Sequence, residues 1–128
     1  MQIDRIDDIQ RFDQLRNNWD AVYSVDPNAH IFLSWAWIKG WLDAAPINWL
    51  ILALRPDDRS PYVAFFPLIA RQVQKFGINN LHVLHMGGYP VADYTGFVCN
   101  PEHEELSVEV IALYLRRELQ FSKFHMTD

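Results

Sequence analysis

Three apolar runs constrain this chain more than any other feature: WLILAL at 49–54, YVAFFPLIA at 62–70 and LHVLHM at 81–86. Each has the length and the aliphatic or aromatic content of a strand, and turn residues such as RPDDRS separate the first two. A parallel crossover needs a dozen or more connecting residues, so short connections predict three adjacent strands of one antiparallel sheet. Pro67 falls inside the second run. A residue with no N–H to give to a ladder marks an edge, a bulge or a bend.

Helical periodicity flanks the sheet. Ile9, Phe12, Leu15, Trp19, Val22 and Tyr23 predict an amphipathic helix over 8–24, broken by the turn-prone DPNAH at 26–30. Ser34 stands where an N-cap belongs, and Trp37, Ile38, Trp41, Leu42 and Ala45 form one apolar face of a second helix over 34–45, ended by Pro46. Ile3 and Ile6 mark a short strand at the start. Asn100, Pro101 and the acidic residues after them announce a last helix, with a broad apolar face from Leu106, Val110 and Leu113 and from Ile111, Leu115 and Leu119. The segment FSKFHMTD begins another strand. The expectation is one α+β domain over 1–128, a mainly antiparallel sheet with helices packed on it.

Composition narrows the function classes. The chain has 128 residues, half of them hydrophobic, enough to bury a core of its own. A net charge of −5 argues against a general nucleic-acid binder, which needs a basic face. No apolar run is long enough to span a membrane, and MQIDRIDDIQ lacks the apolar core of a signal peptide. Cys99 is the single cysteine, and a reducing, cytoplasmic setting is the simplest reading. No metal site is expected. His82 and His85 lie three apart on a predicted strand and so on opposite faces, while His30, His103 and His125 have no partner at ligand spacing. Cys99 reads as a small buried residue beside a helix cap, and no serine sits in a nucleophile elbow.

With the elements in order, three motifs resemble a family. IFLSWAWIKGWL is similar to the aromatic helix entry of the CelD-like (cellulose-biosynthesis-type) acetyltransferases of the GNAT superfamily, AFFPL to a strand of that pattern, and ADYTGF to its Asp-Tyr signature. The order and spacing agree from about Ile9 to Leu119; FemABX-type aminoacyltransferases, built of two GNAT-like halves, are a more distant resemblance. The resemblance implies an acyl-CoA-dependent N-acyltransferase, with acetyl-CoA as co-substrate, a small polar acceptor, no metal and no nucleic acid.

The same resemblance points to YPVADYTGF at 89–97 as the lip of a site. Asp93 and Tyr94 are its catalytic candidates, and Tyr89, Thr95 and Trp35 its substrate-binding ones. A carboxylate or phenol at a strand-end loop serves as a base near an incoming amine, or hydrogen-bonds a polar acceptor. The alternative is structural: Asp93 caps the turn and Tyr94 packs its ring. Trp37 and Trp41 read as core.

One part of the family pattern is missing. GNAT enzymes seat the CoA pyrophosphate on a Q/R-x-x-G-x-G/A loop leading into a helix, where backbone N–H groups meet the phosphates. QKFGIN at 74–79 has the glycine but ends on Asn79 and runs into a strand-like segment, so it reads as a strand-to-strand turn. The chain is therefore expected to be the N-terminal part of such a domain, associating with a missing C-terminal half or a second GNAT-like domain. The alternative is a non-catalytic, GNAT-like binding module.

Overall fold

The computed structural model describes residues 1–44, 49–75, 78–86, 96–118 and 123–125. The chain opens with β1 (Gln2–Ile6), followed by α1 (Ile9–Gln14), α2 (Arg16–Val25) and α3 (Trp35–Ala44). Then come β2 (Trp49–Arg55), β3 (Ala64–Lys75), β4 (Ile78–Met86), the two-residue β5 (Val98–Cys99), α4 (Glu104–Glu118) and β6 (Lys123–His125). The strands form one sheet in the order β1-β2-β3-β4-β6, with β5 beside β3.

The three apolar runs lie side by side and antiparallel, as their short connections require. Leu54 faces Ala64 and Leu50 faces Leu68 across β2 and β3; Lys75 faces Ile78 and Leu68 faces Met86 across β3 and β4. Gln74 and Lys75 of QKFGIN close β3, and Ile78 and Asn79 open β4. One pair is parallel: β6 lies along β4 with Val83 beside Lys123 and His85 beside His125, connected through α4.

Helices cover both faces, which is why β2 is apolar without alternation. Ile51, Ala53, Phe65, Ile69 and Val98 face Phe12, Trp19, Ile38 and Trp41 of α1, α2 and α3. Leu50, Leu52, Leu54, Ala64, Phe66, Leu68 and Cys99 face Ile111 and Leu115 of α4.

Four expectations change; the third strand starts at Ile78 rather than 81. The single helix over 8–24 breaks at Leu15, whose N–H donates to the Phe12 carbonyl in a tight turn (3.0 Å) before α2 begins. Ile9, Phe12 and Leu15 are spaced by three and drift off the face of a straight 3.6-residue helix; the tight turn lets Phe12, Leu15 and Trp19 all be buried. The second strand starts at Ala64 rather than 62 and continues through the polar RQVQK to Lys75. Within the expected connection 89–99, Val98 and Cys99 form a buried strand. The expected helix stop at Pro46 lies outside the described residues. Among the described residues no helix is long and apolar enough to cross a membrane.

Candidate functional site

The far edge of β3 changes partner part-way along. β4 pairs with it up to Leu68, and β5 takes over at Phe65 and Ala64, running in the same direction as β4. Phe66 and Pro67 fall between the two ladders, although Pro67 still faces Ile51 of β2. The buried proline, with no N–H, therefore sits at the interruption, the position a central strand tolerates best. The chain leaves this edge at Met86 and has rejoined it at Val98. Those anchor points, opposite Leu68 and Phe65, are about 10 Å apart at strand rise. Asp93, Tyr94, Tyr89 and Thr95 belong to the segment between, and all four lie outside the described residues.

The return to the sheet is tightly built. A Cβ on Gly96 would meet the Leu33 side chain at 3.7 Å, and Phe97 stacks on Phe66 with ring centroids 4.4 Å apart. The Cys99 N–H donates to the Asp26 carboxylate (2.9 Å), which also accepts from the Asn28 N–H (2.9 Å). The Asn100 N–H donates to the Val63 carbonyl (2.8 Å), and the Asn100 side chain caps the Glu102 N–H (3.1 Å). Asp26 thus ties the end of α2 to β5. Sequence reading saw only a turn former at this position, because its second partner is 73 residues away.

Trp35 is taken up by α1 and α2. Its ring stacks on Phe12 (5.2 Å, 13°), its Nε1–H donates to the Phe12 carbonyl (3.3 Å), and the Arg16 guanidinium lies 4.8 Å from the ring centre. Ser34 accepts from the Trp37 N–H (3.3 Å), confirming the cap. Trp41 is buried core, while Trp37 is half-buried, edge-on to Phe32 at 5.3 Å.

Cys99 and Asp4 have structural roles. Burial pushes the Cys99 thiol up to about 11, and its S–H donates to the Asn100 carbonyl (3.2 Å), so it is a protonated core residue rather than a nucleophile. At the opposite margin of the sheet, the Asp4 carboxylate accepts from the Tyr62 hydroxyl (2.5 Å) and from Gln2 (3.0 Å) and pairs with Arg55 (3.0 Å). Burial works to raise Asp4, but those hydrogen bonds and the charges of Arg55 and Arg11 outweigh it and hold the carboxyl below the usual range. Among the described residues no group of three His, Cys, Asp or Glu side chains is placed to hold a metal ion.

No family model matches the sequence, and no curated protein matches it significantly. Solved structures do. The aminoglycoside 6'-N-acetyltransferase AAC(6')-IG of Acinetobacter haemolyticus superposes with a TM-score of 0.55 at 13% identity, over 100% of this chain and 79% of that one. AAC(6')-Ih of Acinetobacter baumannii gives 0.53 at 13%, over 99% and 80%. AAC(6')-Iy, solved with the bisubstrate analogue CoA-S-monomethyl-acetylneamine, gives 0.51 at 11%, over 100% and 80%. The fold is that of the GNAT acetyltransferases.

Helix α4 joins β4 to its parallel neighbour, and its described start does not suit an anion. Asn100 already occupies the Glu102 N–H, Pro101 has no N–H to offer, and Glu102, Glu104 and Glu105 place three negative charges where an anion would bind.

Proposed function

We propose that this chain is an N-acyltransferase domain of the GNAT type, CelD-like in its motifs, that uses an acyl-CoA donor and acts on a small polar amine. The observation that carries this reading is the sheet plan: an antiparallel β1–β4, a helical crossover to a parallel β6, and a β3 edge whose partner changes from β4 to β5. Ligand sites in open sheets gather beyond strand ends, at such changes of order. In this reading the Asp93 carboxylate takes the proton from the acceptor nitrogen. The hydroxyls of Tyr94, Tyr89 and Thr95 hold the acceptor's polar groups. Trp35, the remaining candidate, is held by Phe12 of α1 and Arg16 of α2. Since the described start of α4 does not fit a pyrophosphate, no step is assigned to the donor there. The donor site is instead completed by further chain, a C-terminal half or a second GNAT-like domain, in a cytoplasmic setting.

A second reading, a non-catalytic GNAT-like module binding a partner or a small polar ligand, draws support from the same acidic, proline-capped start of α4. Two measurements separate the readings. Titrating acetyl-CoA into the 128-residue chain by calorimetry gives weak binding or none; micromolar binding would contradict the incomplete donor site. In the protein carrying its donor half, thiol release from acetyl-CoA is followed with a panel of primary amines. The enzyme reading expects amine-dependent release, and no release with any amine leaves the binding module. There, Asp93→Asn is expected to cut transfer by about 100-fold or more with the melting temperature nearly unchanged. An equal loss of stability would instead assign Asp93 to the turn.

A further inference from the structure

Ser107, in the first turn of α4, is fully buried, at 0% exposure. A hydroxyl in that position needs an acceptor, and the acceptors it has among the described residues are both sulfurs. Its O–H donates to the Met1 thioether, with Oγ 3.8 Å from Sδ, and the Cys99 thiol is its other partner. Thiol and thioether sulfurs are weak acceptors, so this buried donor is under-satisfied. The two sulfurs differ in reach and in chemistry. Cys99 is buried and protonated, and its S–H is turned to the Asn100 carbonyl. Oxidants attack the thiolate, which burial withholds. Met1, at the head of β1, is 36% exposed, and a thioether needs no deprotonation to react.

We propose that Met1 is a reversible oxidation site of this protein and that Ser107 is the residue that accommodates its oxidised form. The oxidant is a peroxide. The sulfur lone pair attacks one oxygen of hydrogen peroxide, the O–O bond breaks, and the departing hydroxide takes up the proton. Methionine sulfoxide and water are formed, the sulfur losing the two electrons that the peroxide gains. An S–O bond is much shorter than the 3.8 Å between the sulfur and the Ser107 oxygen, so a sulfoxide oxygen turned toward α4 comes within hydrogen-bond reach of that hydroxyl. The three rotatable bonds of a methionine side chain allow the turn. A sulfoxide oxygen is polar and a far better acceptor than a thioether, so oxidation supplies the partner that Ser107 lacks. Elsewhere in a fold the same modification only sets a polar group among apolar ones and loosens them. Here the new hydrogen bond offsets part of that loss.

Hydrogen peroxide and peptide mass spectrometry test the site on the folded chain. Met1 is expected to gain one oxygen before Cys99 gains any, and methionine sulfoxide reductases of both epimer specificities should remove it. The role of Ser107 is read from melting temperatures in a Met86→Leu/Met126→Leu background, which leaves Met1 as the only thioether. Ser107→Ala keeps a strong helix former at this position and removes the hydroxyl. Each protein is compared with its own unoxidised form, so the effect of the substitution itself cancels. Oxidation should lower the melting temperature of the Ala variant by about 3 °C or more beyond what it takes from the Ser107 protein, and reductase treatment should restore both. Cys99 oxidised first, a Met1 that peroxide leaves untouched, or equal losses with and without the Ser107 hydroxyl would each overturn the proposal.

Discussion

At the scale of single residues, this structure turns on side chains whose partners lie far away in sequence. Asp26 ends α2, and its carboxylate accepts from the Cys99 N–H in β5. Removing it leaves that donor, part-buried, without a charged acceptor, which costs about 1–3 kcal/mol. Asp26→Ala is therefore expected to lower the melting temperature by several degrees. Asp26→Asn, which keeps an acceptor oxygen, should recover part of the loss; equal losses in the two variants would remove the hydrogen bond as the cause. Asp26 was visible in the sequence only as part of DPNAH, a local turn signal, and no local pattern reports a partner across the fold. The four site candidates of the 89–95 segment present the reverse case. Motif resemblance picks out Asp93, Tyr94, Tyr89 and Thr95, and what the structure contributes is the pair of flanking positions on the sheet, Met86 opposite Leu68 and Val98 opposite Phe65.

At the scale of elements, packing periods were legible and partner changes were not. The run at 49–54 and the helix from Ser34 follow from burial alone, because a covered strand or a one-sided helix needs apolar residues at fixed intervals. The continuation of β3 through Arg71, Gln72 and Gln74 was hidden, since polar residues held in a strand by their pairing with β4 carry no periodic apolar mark. β5 was hidden for a different reason: two residues are too few to show a period, and their strand character comes from pairing with Ala64 and Phe65. The break between α1 and α2 comes from Trp19, which draws three elements together. Its ring stacks on Phe65 (4.5 Å) and meets Phe12 edge-on (5.6 Å), and its Nε1–H donates to the Leu33 carbonyl (2.8 Å). Trp19→Phe keeps most of the ring contact but leaves that buried carbonyl unpaired, at a cost of about 1–3 kcal/mol. Trp19→Ala also opens a large cavity and should cost about 3–5 kcal/mol. Chemical denaturation of the two variants checks the order; a Phe variant as unstable as the Ala variant would show that ring shape, not the hydrogen bond, holds the Leu33 turn.

At the scale of the whole molecule, the sheet is secured at both margins by groups that titrate, and this sets the pH range of its stability. The Asp4 cluster fastens β1 to Arg55 at the end of β2 and to the strand approach at Tyr62. Asp4 is held below its ordinary value of 3.8 in the fold, so its contribution is complete above that pH and is lost as pH falls below it. Tyr62 is held above its ordinary 10.0, first by burial and then by the hydrogen bond to Asp4, so its contribution is present below pH 10 and lost above it. Cys99, where β5 meets α4, behaves like Tyr62 at lower pH: it is raised by burial from 9.0 to about 11, and its contribution fades as pH climbs through that interval. The melting temperature should therefore hold a plateau between about pH 5 and 9, with an acid limb that includes Asp4 and an alkaline limb begun by Cys99 and extended by Tyr62. Single substitutions separate the limbs. Asp4→Asn lowers the plateau, because Arg55 and the Tyr62 hydroxyl lose a charged partner, and it makes the acid limb shallower while leaving the alkaline limb begun by Cys99. Cys99→Ala does the opposite, flattening the curve between pH 9 and 11 with the acid limb unchanged. Differential scanning calorimetry across pH 3–11 reads both effects. An acid limb equally steep in Asp4→Asn would move the acid-labile group elsewhere in the molecule, and an alkaline limb untouched in Cys99→Ala would mean that the thiol does not stay protonated inside the fold.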